Sequence, residues 1–76
     1  MRTGYAIRDY HRHGWLMTRA QVEGADCPVT VWGQEEEEAL TFRKLGDARQ
    51  MLKVIRRDHR QPERVHIVDP RYRRVV

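Results

Sequence analysis

The sequence predicts an α+β fold: a small antiparallel sheet of three to five strands with one helix, about Leu45 to Arg57, packed on one face, in the order β-β-β-(β)-α-β. Three observations carry this. Short segments alternate apolar and polar residues with a period of two, punctuated by Gly, Pro and Asp. One stretch alone carries apolar residues at helical spacing. The chain has 76 residues, enough for one core but burying only about 60% of its unfolded surface. One domain, residues 1–76, is expected, with residues 69–76 a basic tail or an edge strand.

Residues 3–8 alternate, Tyr5 and Ile7 on one face and Ala6 and Arg8 on the other, and read as a half-buried strand. The polar run 9–14 (DYHRHG) ends in glycine and reads as a hairpin loop. Trp15 to Arg19 is the second strand. Gly24, Asp26 and Pro28 mark a loop. Pro28 lacks the N–H that a ladder needs, so the third strand, Val29 to Trp32, begins after it and ends at Gly33.

Glu35 to Glu38 set four carboxylates in a row. A helix dipole favours them on a first turn. The β-prone residues Leu40, Thr41 and Phe42 instead favour a loop leading into a short extended segment. In the helix, Leu45, Ala48, Met51, Leu52 and Ile55 form one apolar stripe. Asp47 near its start and Lys53, Arg56 and Arg57 toward its end complement the dipole, and Pro62 stops it. Arg64 to Val68 alternates again and ends at Asp69-Pro70. Residues 71–76 (RYRRVV) pair at an edge or stay loose.

Active-site chemistries are thinly represented. The chain has no serine. Cys27 lies beside Asp26, which disfavours the thiolate a nucleophile needs. His11, His13, Cys27, His59 and His66 are ligand types without C-x-x-C or H-x3-H spacing, so no metal site is expected. Glu35 to Glu38 resemble a solvated charge run, since acid–base pairs need one carboxylate in an apolar pocket. No glycine-rich phosphate loop is present. The chain is therefore expected to be no enzyme and to use no cofactor. A single cysteine, an N-terminus without a signal-like apolar run, and no apolar stretch near the ~18 residues of a membrane span predict a cytoplasmic protein.

Charge is the strongest remaining signal. Lys and Arg total 15 against 11 acids, a net charge of +4, and 13 of the 15 are Arg. Residues 1–42 carry −3 and residues 43–76 carry +7. One expectation is a dipolar domain whose basic helix face answers its own acidic run. The alternative is weak nucleic-acid binding through Arg56, Arg57, Arg60, Arg71, Arg73 and Arg74, with Tyr72 stacking on a base. A third expectation is a protein partner or a homodimer, held by an apolar face carrying Tyr10, Trp15, Met17 and Trp32 or by a free sheet edge.

The Tyr5-x-Ile7 opening, the Gly14-Trp15-Leu16 strand, the stretch 39–55 (ALTFRKLGDARQMLKVI) and the final 65–70 (VHIVDP) resemble a pattern of small uncharacterised bacterial proteins. Many of these travel with prophages or mobile elements of Gram-positive anaerobes. Ala39 and Phe42 occupy the Ala-x-x-Phe places of that pattern, and Asp47 and Ala48 the helix opening. Lys44 stands where the pattern usually has a Ser or Thr cap. The resemblance implies a fold and a genomic habit, and no activity. The expected function is thus an accessory, non-enzymatic interaction module of a prophage or mobile element.

Overall fold

A computed structural model describes residues 4–12, 14–20, 23–24, 26, 28–69, 71 and 73–76. The alternating segments form β1 (Ala6–Asp9), β2 (Gly14–Ala20), β3 (Val29–Gly33), β4 (Val65–Asp69) and β5 (Arg74–Val75), and the amphipathic stretch forms α1 (Leu45–Asp58). All pairings are antiparallel, in the order β3-β2-β1-β4-β5. The element order is therefore β-β-β-α-β-β, and residues 74–75 of the basic tail are an edge strand. The N-terminal hairpin lies at the centre because α1 carries the chain back across it to β4.

Ile7 and Leu16 point to the helix side and are fully buried with Ala48, Ile55, Val65 and Ile67. Burying each of the larger side chains contributes roughly 1.5–3 kcal/mol. Lys44, the N-cap of α1, offers no side-chain cap, and Asp47 supplies the acidic residue of the first turn. Arg19 ties the far end of β2 to the helix: it donates to Thr30 Oγ1 and Asp58 Oδ2, both at 2.9 Å.

Three elements differ from the sequence expectation. Asp9, expected in the hairpin loop, ends β1 and is 1% exposed. It stays in the sheet because its carboxylate folds back onto the turn, where Oδ1 accepts the N–H of His11 at 2.9 Å and of Arg12 at 3.4 Å. Glu36–Glu38 form one 3-10 turn rather than an open loop. The extended segment after it is a bridge between two strands: Leu40 N–H donates to Leu16 C=O, and Tyr5 and Phe42 exchange two hydrogen bonds, all at 2.8 Å. Gly4 lets this segment approach, since a Cβ there would lie 2.9 Å from Thr41 Cβ and 3.0 Å from the Phe42 carbonyl oxygen.

The third difference concerns the face turned away from α1, one of the two expected places for a partner-binding apolar patch. Ala6, Trp15 and Val68 are buried there beneath Ala39, with Tyr10 packed beside them. The 3-10 turn and Ala39 thus cover the centre of that face. They leave its outer part bare: Thr18, Ala20, Val29 and Val31 are all exposed.

Candidate functional site

The register of β2 and β3 decides which apolar residues are accessible. Trp15 pairs with Gly33 and Leu16 with Trp32, so the two indoles point to opposite faces. Trp15 is 7% exposed on the face away from α1. Trp32 is half-buried against the helix-side core and meets the His59 ring edge-on. Met17 lies on the Trp15 side, because a Cβ on Gly33 would come within 2.5 Å of its Sδ. Tyr10 also lies there. Tyr10, Trp15, Met17 and Trp32 therefore do not share one face.

Exposed apolar area is found instead at the two sheet edges, in β3 and at Val75 and Val76 in and after β5. Val29 is 41% exposed and Val31 40%. A register shift between Leu16 and Thr18 bends β2 where this bare part begins. β3 reads Val-Thr-Val-Trp-Gly and carries no charge. The opposite edge, β5, is two residues long and carries Arg74.

The basic residues divide into two groups. Arg56 is turned inward: its Nε and Nη2 donate to the Val65 carbonyl at 3.1 and 2.7 Å, and Nη2 lies 3.4 Å from His66 Nδ1. Arg57 and Arg60 are exposed at the end of α1. Arg71 is engaged by Asp69 in a fork, with Nε and Nη2 at 3.1 and 3.2 Å from the two carboxylate oxygens. That fork holds the Asp69 carboxyl below its usual range. Arg73 and Arg74 are exposed at the turn into β5. Tyr72 lies outside the described residues. Four residue steps of β4, roughly 13 Å, separate the two groups. A groove of about 360 Å³ is lined by Arg49, Lys53, Arg56, His66 and Val76. Arg49 and Lys53 share one helix face with Arg56.

Two constellations were not singled out from the sequence. The first joins Asp9 to His59, 50 residues away, at 2.9 Å. Gln61 N–H donates to His59 Nδ1 at 2.9 Å. The ring hydrogen therefore sits on Nε2 and is donated to Asp9 Oδ2. Burial pushes the Asp9 carboxyl up, but the bonds from His59, His11 and Arg12 outweigh it and hold the group below its ordinary value. The second is Arg8, whose guanidinium carbon lies 4.7 Å from the Tyr10 ring centre and 5.1 Å from that of Trp15.

Cys27 and His13 lie outside the described residues. Among the described residues, no three His, Cys, Asp or Glu side chains converge on a metal-sized site. No helix among them is long and apolar enough to cross a membrane. No family model, curated protein or solved structure matches the chain.

Proposed function

We propose that the protein is a small non-enzymatic interaction module that recruits an extended strand to its β3 edge. The contrast between the two sheet edges carries this reading. Free edges are normally blunted by charge or by short length, as β5 is. β3 has five residues, no charge, and two valines about two-fifths exposed. An uncharged extended strand satisfies its backbone groups and covers those valines.

β3 of a second copy meets that description. Antiparallel pairing about Val31 sets Val29 against Gly33 and Thr30 against Trp32, with no like charges opposed. Covering four half-exposed valines contributes on the order of 3 kcal/mol, less than the usual cost of association. The backbone hydrogen bonds of the new ladder must supply the rest, so self-association is weak and shows only at high concentration. Sedimentation velocity across a concentration series tests it. Wild-type protein is expected to dimerise, and Val31→Lys to stay monomeric with an unchanged unfolding midpoint. A wild-type chain still monomeric at about 1 mM refutes pairing of two copies. The setting as an accessory protein of a mobile element rests on the core and turn residues that carry the resemblance.

The groove lined by Arg49, Lys53 and Arg56 favours a second reading, weak nucleic-acid binding through the basic C-terminal half. Fluorescence anisotropy with a labelled duplex at ~50 mM salt tests it. Arg49→Ala and Lys53→Ala are each expected to weaken binding and to lower the salt slope by about one. Absence of binding at that salt removes this reading.

A further inference from the structure

Arg8 lies in β1 on the face turned away from α1, held between the rings of Tyr10 and Trp15. Ring faces fix the guanidinium plane but accept none of its fork of hydrogen bonds. Its Nε is buried without a hydrogen-bond partner among the described residues. Buried donors are normally satisfied, so the guanidinium is held without the acceptors its charge and fork call for, and the side chain borders a cavity where an outside anion can meet it. Such a cavity is present: a cleft of about 100 Å³ lined by Arg8, Tyr10, Trp15, Glu36, Val68 and Arg73. Arg73 reaches it from the turn before β5, where its backbone holds a left-handed φ of 51°.

We propose that this cleft binds the phosphate group of a small phosphorylated ligand. Two guanidinium groups face one carboxylate, so the cleft is net positive. Arg8 is pre-positioned by its two rings and needs little ordering when an anion arrives. One fork is enough for a carboxylate. A tetrahedral oxyanion has acceptors for the forks of both arginines. The volume takes one such group and leaves the rest of the ligand outside. The Trp15 indole lines the cleft, so its emission reports occupancy.

The test titrates inorganic phosphate into the full chain at constant ionic strength, following tryptophan fluorescence and calorimetric heat. Saturable binding is expected. Arg8→Lys, which keeps the charge but loses the fork, is expected to weaken it about tenfold. Arg73→Ala should weaken it as well. Glu36→Gln, which removes the opposing carboxylate, should tighten it several-fold, a gain that a purely structural Arg8 would not produce. The proposal fails if phosphate acts no differently from chloride, or if neither Arg73→Ala nor Glu36→Gln changes the affinity. Acetate binding as tightly as phosphate overturns the assignment to phosphate. If Arg8→Lys does not fold, the other two variants decide the outcome.

Discussion

Removing the Asp9 carboxylate should destabilise the domain far more than its place in a polar hairpin segment implies. The side chain is 1% exposed and accepts three hydrogen bonds, from His11 N–H, Arg12 N–H and His59 Nε2–H. In Asp9→Ala, the exposed His11 and Arg12 regain water, which limits their combined cost to about 1 kcal/mol. His59 is mostly buried and loses a charge-assisted partner, at about 2 kcal/mol. The total of about 3 kcal/mol compares with a whole stability of roughly 4–11 kcal/mol for a chain this long. Thermal unfolding followed by circular dichroism should show a midpoint lower by roughly 12–24 °C. A double-mutant cycle with His59→Ala isolates the pair and should return a coupling of about 2 kcal/mol. A loss under about 0.5 kcal/mol, or additive single variants, would refute the reasoning.

The same bond sets an acid limb. Asp9 holds its proton less tightly in the folded chain than at its ordinary value of 3.8. Its contribution is therefore complete above that value and is lost as the pH falls toward the lower folded one. The unfolding midpoint should fall more steeply with acid in the wild type than in Asp9→Ala.

Two further outcomes follow from close contacts. Gly4→Ala sets a methyl 2.9 Å from Thr41 Cβ and 3.0 Å from a backbone oxygen. Because backbone cannot yield cheaply, urea titration should show a loss of about 1–3 kcal/mol. Arg56→Met keeps the helix face but removes both donors to the Val65 carbonyl. It should cost about 1.5 kcal/mol, read as a midpoint lower by roughly 6–12 °C.

The sequence shows α1 clearly, because five apolar residues at helical spacing admit one buried face, and the stripe from Leu45 to Ile55 is that face. The same logic at period two made β2, β3 and β4 legible to within a residue, while β1 begins at Ala6 rather than at residue 3. Pairing partners were not. Asp9 looks like a loop residue because its decisive partner, His59, lies 50 positions away. Trp15 and Trp32 looked like one contact face because nothing local reveals that Trp32 pairs with Leu16. The surroundings of Arg8 were not legible either, since alternation says that it shares a face with Ala6 but not what covers that face. The cover comes from Ala39 and the glutamate turn, whose place depends on the bridges to Leu16 and Tyr5.

That cover also decides how the opposed charges of the two halves act. A basic helix face answered by its own acidic run would need Glu35–Glu38 against α1. They lie on the other side of the sheet, where Glu36 borders the cleft with Arg8 and Arg73. Among the described residues, the ion pairs are Arg19–Asp58, Arg57–Asp58, His59–Asp9 and Arg71–Asp69, none of which uses that run. The positive groove of Arg49 and Lys53 thus sits across the sheet from the glutamate turn, of which Glu35, Glu37 and Glu38 are exposed. Charges held apart this way are screened by salt but not neutralised within the chain. The two lie on separate faces, while the β3 edge between those faces carries no charge.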